Sequence, residues 1–144
     1  MRKQTGFTLI EVMVSVVVLA IGLLGLAGLQ ATSMRFNGSA YLRSQATNLA
    51  YDIADRMRAN VIAARNGFYD GVGIQNPPPA CAVVVLAGSL AQQDIQAWRN
   101  ALACTLPSGT GSINRNGTIF TITIQWDDSR GQDAPQTFQT MTSL

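Results

Sequence analysis

The chain has 144 residues, with ten Lys and Arg against eight Asp and Glu, no histidine and two cysteines. Once its apolar first fifth is set aside, about 110 residues remain to build a single modest core. A net charge of +2 without a basic cluster offers no row of cations for phosphates, which excludes nucleic acid as a partner, and the missing histidine removes both a Cys/His zinc site within one chain and the usual base for a Ser or Cys nucleophile.

Charge is nearly absent from Thr5 to Met34, where Glu11 stands alone. Val12 to Leu29 reads VMVSVVVLAIGLLGLAGL, and 18 helical residues span about 27 Å, so with Phe7 to Ile10 added the segment can cross a bilayer. Arg2 and Lys3 precede it without a neighbouring acid, which keeps the amino terminus cytoplasmic and exports the chain beyond Leu29. An ordinary signal peptide is the competing reading, since Ala20-Ile21-Gly22 and Gly25-Leu26-Ala27 are small-x-small triplets. Against it stand the length of the apolar run and Glu11, the chain's only glutamate. An ionised acid inside a membrane helix costs about 2.5 to 3.5 kcal/mol on insertion scales, and such a residue normally has a partner.

In GFTLIEVMVS, Gly6 to Ser15, the order of residues resembles the leader and assembly helix of the type IV pilins. The resemblance implies that prepilin peptidase cuts between Gly6 and Phe7, discards residues 1–6 and methylates the new Phe7 amine. It further implies that the Glu11 carboxylate neutralises that amine during docking into a filament, each charge offsetting the other's desolvation. A small Gly6 suits close approach of the scissile backbone to an enzyme. Glycines 22, 25 and 28 thin one side of the helix, for close packing or simply because lipid tolerates glycine.

Beyond Leu29 the pattern turns amphipathic. Leu42, Ala46, Leu49, Ile53 and Met57 recur at helical spacing among Arg43, Asp52, Asp55 and Arg56, so the helix should continue to Asn66-Gly67, about 90 Å from its start near residue 8. Gly67 to Pro79 holds the Pro77-Pro78-Pro79 run and should be an irregular connector. Ile95, Trp98 and Leu102 place a second helix from about Leu90 to Leu106, with Trp98 read as core rather than as a ligand platform. Phe120 to Trp126, FTITIQW, alternates as a half-buried strand. The Asn116-Gly117 turn signal pairs it with residues from about 111 to 115, and Gln136 to Thr142 supply a third strand. Asn37-Gly38-Ser39 and Asn116-Gly117-Thr118 match a glycosylation pattern but are read as helix-break or turn chemistry.

Cys81 and Cys104 are read as one disulfide closing a loop of about 24 residues in an oxidising compartment, the alternative being two buried free thiols. Asp127 and Asp128 are adjacent at a strand end, so they point apart and make no catalytic pair, and no metal or other cofactor is assigned, although the loop through Asp133 has oxygens that suit calcium. The expectation is an α+β type IV pilin fold, a long N-terminal helix packed on a small antiparallel sheet with an additional short helix. The divisions are a leader at 1–6, a membrane and assembly helix at 7–29, an amphipathic stalk at 30–66 and an outer domain at 67–144.

Within the family, IEVMVSVVVLAIGLLGLAGLQ, QATNLAYDIADRMRAN, DIQAWRNALACTLPSG and ITIQWDDSR are similar to PilV-type minor pilins, the type IV pilus modification proteins. That resemblance implies a non-enzymatic, low-abundance subunit that helps initiate pilus assembly and surface display. Its partners would be prepilin peptidase, the major pilin and other minor pilins, the inner-membrane assembly platform and, before assembly, membrane lipid. The implied location is the bacterial inner membrane, single-pass with a periplasmic C-terminal domain, then the filament. A minor pseudopilin of a type II secretion system shares the leader and helix, and a membrane-tethered periplasmic binding domain is the third reading.

Overall fold

The computed structural model describes Gly6 and residues 8–144, so Arg2, Lys3 and Phe7 lie outside the described residues. It divides into two compact units, one ending at Gly38 and one from Ser39 to Leu144.

The first unit holds the start of α1, Leu9–Ala59. Its best 18-residue window has a mean hydropathy of 2.7, and none of that window is buried within the chain. Valines and isoleucines are mediocre helix formers in water, but where no water can satisfy a backbone amide the helix is the conformation a single segment is left with. The hydroxyls comply: Ser15 Oγ donates to Glu11 O at 2.7 Å and Thr32 Oγ1 to Gly28 O at 3.0 Å, so neither is left unpaired.

Two helix boundaries differ from the sequence reading. Asn37-Gly38 does not break the helix, because α1 runs through it; one glycine costs only about 1 kcal/mol in a helix and leaves its backbone bonds in place. The break comes instead at Asn60, with φ −117° and ψ 47°, after which α2 covers Val61–Arg65. Asn60 Nδ2 donates to Tyr69 Oη at 3.3 Å, and this contact with the next loop accompanies the departure from helical geometry. Gly67, at φ +86°, then turns the chain.

In the second unit, Ala46, Ala50, Ile53, Ala54 and Met57 of α1 are buried, with Leu42 and Leu49 packed beside them. The three alanines let neighbouring elements approach closely, and the expected stripe is there. The stretch from Gly73 to Gly88 is irregular, which the sequence anticipates only as far as Pro79. Helix α3, Leu90–Thr105, begins with a capping box: Ser89 Oγ accepts from Gln92 N–H while Gln92 Oε1 accepts from Ser89 N–H at 2.9 Å. Its Trp98 is fully buried and donates from Nε1 to Leu49 O at 2.9 Å, tying α3 to α1.

Strands β1 (Thr110–Asn116), β2 (Ile119–Trp126) and β3 (Gln136–Ser143) form an antiparallel meander in that order. Phe120, Ile122, Ile124 and Trp126 point into the core and the alternate residues outward, as the period-two pattern requires. Gly117 and Thr118 form the two-residue β1–β2 loop, and Gly117 takes φ +64° in the first central position, the glycine site of a type II′ hairpin. At Gly111 a Cβ would lie 2.5 Å from the Trp98 ring, so only glycine lets β1 pass under that indole.

Candidate assembly site

The residues that the sequence singles out lie at the amino-terminal end of the described chain. Gly6 is exposed and outside any helix, and α1 begins at Leu9. Thr8 O accepts from Glu11 N–H at 3.1 Å and from Val12 N–H at 3.4 Å, which starts the helical ladder. This puts Glu11 in the first turn, where the unpaired backbone amides favour a carboxylate. Its side chain is exposed and forms no ion pair among the described residues.

Leu9, Ile10, Val12, Met13, Val14 and Val16 to Leu19 are each more than half exposed, so the chain does not cover the helix surface around Glu11 with its own residues. A Cβ added at Gly22, Gly25 or Gly28 would likewise meet nothing within 4 Å. The first unit thus presents an uncovered apolar helix in which Glu11, a turn from the start, is the one charge before Arg35. Its two external solutions are lipid and a bundle of like helices.

A model of the prokaryotic N-terminal methylation motif matches residues 1–27. Searches of curated proteins and of solved structures give no match. The motif is a type IV prepilin-like leader and suggests a type IV pilin-like or pseudopilin precursor, and the fold described above is of the α+β type IV pilin-like kind. It implies processing by prepilin peptidase, delivery to the pilus assembly machinery and a structural role, and the long apolar helix is consistent with membrane anchoring.

Cys81 and Cys104 are joined, with Cα atoms 4.6 Å apart, binding the irregular segment to the end of α3. Side chains of α3 hold the same segment: Ala82 N–H donates to Asn100 Oδ1 at 3.2 Å, and Gln96 exchanges 3.2 Å bonds with both N–H and O of Ala87. Replacing Cys81 by serine should lower unfolding stability by about 3 kcal/mol, the loop-closure entropy returned to the unfolded chain. The check is denaturant unfolding of the whole chain in detergent, with and without reductant.

Two of the three loop acids are committed to structure. Asp127 accepts at Oδ1 from Ser129 Oγ at 2.7 Å and Ser129 N–H at 2.9 Å, and at Oδ2 from Gly131 N–H. The Ser129 hydroxyl first, then these amides, hold its carboxyl below the ordinary aspartate range. Asp128 turns the other way and accepts from Ser39 Oγ at 2.8 Å, and no metal-ligand cluster of His, Cys, Asp or Glu occurs among the described residues.

Sequence reasoning missed a polar chain under the core. Asp94, nearly buried, accepts from Tyr69 Oη at 2.5 Å and from Arg56 Nη1 at 3.3 Å, while Arg56 Nε also donates to Asp52 Oδ2 at 3.0 Å. The Asp52 bond leads in raising Arg56 above its already high value. Burial, then the bond to Asp94, pushes Tyr69 up to about 12. With the folded value raised from 10, the stability tied to neutral Tyr69 is full below pH 10 and drains as pH rises through about 12. Alkaline unfolding followed by tyrosinate absorbance should therefore show a loss in that window that Tyr69→Phe removes.

Proposed function

We propose that the chain is a minor pilin: a structural subunit that prepilin peptidase cuts between Gly6 and Phe7 and methylates at Phe7. It sits in the inner membrane as a single-pass precursor with the disulfide-bearing domain in the periplasm, and it then enters a type IV pilus, where it helps initiate assembly and surface display. The observation that carries the reading is the methylation motif over residues 1–27 fused to an apolar helix whose surface the chain leaves uncovered.

In this reading α1 is the assembly element. In lipid the Glu11 carboxylate is costly; beside the amine of a processed Phe7 the two charges offset each other's desolvation. The gain draws the subunit from bilayer to filament, where it meets the major pilin and other minor pilins above the assembly platform. A minor pseudopilin would use the same helix in the same way, so fractionation separates the two. The expected result is that the mature chain is recovered in sheared surface pili, and that deleting the pilus assembly platform removes it from that fraction while deleting the type II secretion platform does not. The reverse dependence would make it a pseudopilin.

A further inference from the structure

The sheet's two edges are in different states. On the β1 side, Ile113 N–H donates to Val72 O at 2.8 Å within an antiparallel bridge, and Gln75 N–H donates to Thr110 Oγ1 at 3.0 Å, so the segment after α2 closes that edge. On the β3 side no further strand or bridge pairs among the described residues. The phase of β3 is fixed by the bond from Leu144 N–H to Thr118 O at 3.2 Å. By antiparallel alternation Gln136, Phe138, Thr140 and Thr142 then exchange main-chain bonds with β2, and the N–H and C=O groups of Thr137, Gln139, Met141 and Ser143 point out into the open edge.

Natural edge strands are blunted by charge, proline or a bulge. Gln136–Ser143, QTFQTMTS, has no charged residue and no proline, and it pairs with β2 without a skipped position. Phe138 and Leu144, at the margin of the core, are only partly buried. The edge thus offers a run of main-chain donors and acceptors beside an apolar face that one more strand would extend.

We propose that β3 is a docking edge for an extended segment of another polypeptide, added antiparallel through the main chain of Thr137, Gln139, Met141 and Ser143. Charge at one end of β3 sets the chemistry of that segment. The loop before β3 carries Asp127, Asp128 and Asp133 against Arg130, whereas near its other end Arg58, which donates to Thr142 Oγ1 at 2.8 Å, is already paired with Asp55 at 2.6 Å. An antiparallel occupant is therefore uncharged where it pairs, with alternate apolar residues on the Phe138 side and a basic C-terminal flank toward the loop. A second copy of this chain does not fit, because paired antiparallel with itself its own Gln136–Leu144 run brings no basic residue to the loop acids.

The proposal holds whether or not α1 enters a filament, and its test is independent of assembly. Amide hydrogen exchange is followed residue by residue on the full chain in detergent micelles, with and without a peptide carrying the sequence of Ile119–Trp126 followed by a lysine. That sequence already mates with β3 in the correct pleat. With saturating peptide the amides of Thr137, Gln139, Met141 and Ser143 should exchange about tenfold or more slowly, while those of Phe138, Thr140 and Thr142 are slow throughout. Gln139→Pro, which removes an outward amide and no bond to β2, should abolish the effect. A peptide N-methylated at alternate backbone amides should fail on the unaltered chain, so the outcome does not hang on the proline variant's folding. Absence of slowing, equal slowing by the N-methylated peptide, or edge protection in the free protein that vanishes on dilution, the mark of a second copy, would overturn it.

Discussion

Trp98→Ala should lower the stability of the second unit by about 3 to 5 kcal/mol, the largest single-residue effect expected in the chain. Trp98 is fully buried, donates from Nε1 to Leu49 O at 2.9 Å, and covers Gly111 so closely that no Cβ fits there. Alanine would leave a cavity between α3 and β1 and remove the bond that ties α3 to α1. A domain of this size has roughly 5 to 15 kcal/mol in total, so the variant should sit near its unfolding threshold. Urea unfolding of the whole chain in detergent, read by the fluorescence of the remaining Trp126, measures the loss. Gly111→Val, which overfills the same contact, should destabilise in the same direction.

The second large effect concerns assembly and leaves folding alone. Glu11→Val should be inserted in the membrane and processed like the unaltered chain, since it removes a carboxylate that costs about 2.5 to 3.5 kcal/mol on insertion scales. Its recovery in filaments should nevertheless fall by about tenfold or more, equivalent to at least about 1.4 kcal/mol of lost docking preference. If Glu11 only decorates an anchor, the variant should enter its assembly undiminished. Comparing membrane and sheared-filament fractions distinguishes these results, because the side chain is exposed on α1 and is not one of the buried core residues.

The elements with strong periodicity were legible in the sequence. The alternation of FTITIQW defined β2, the spacing of Trp98 and Leu102 defined α3, and the Ala46 to Met57 stripe defined the packed part of α1. Each element buries one face, and burial is what the pattern records. The helix boundaries were less legible. Asn37-Gly38 carries a break signal that the continuing ladder overrides, whereas Asn60 carries no stronger local signal yet breaks the helix, beside a hydrogen bond to Tyr69 nine residues on.

Long-range polar contacts were not legible at all. Asp94 lies on α3 four residues before Trp98, and nothing in its neighbourhood specifies Arg56 or Tyr69 as partners. The same holds for Arg115, whose Nη1 donates to Arg65 O at 2.6 Å and whose Nε pairs with Asp70 at 3.2 Å, fastening the end of α2 to β1. At the candidate assembly site the order was reversed. The short motif around Gly6, Phe7 and Glu11 carried more information than the structure adds, because the groups expected to act on it belong to other molecules.

If the chain is a processed assembly subunit, the mass of its mature amino terminus, with and without prepilin peptidase, should report it. The expected product is a peptidase-dependent chain beginning at N-methylated Phe7 with the helix retained. A start after Gly22 or Ala27, or an unprocessed Met1 in the presence of active peptidase, would contradict it and leave a secreted or tethered domain.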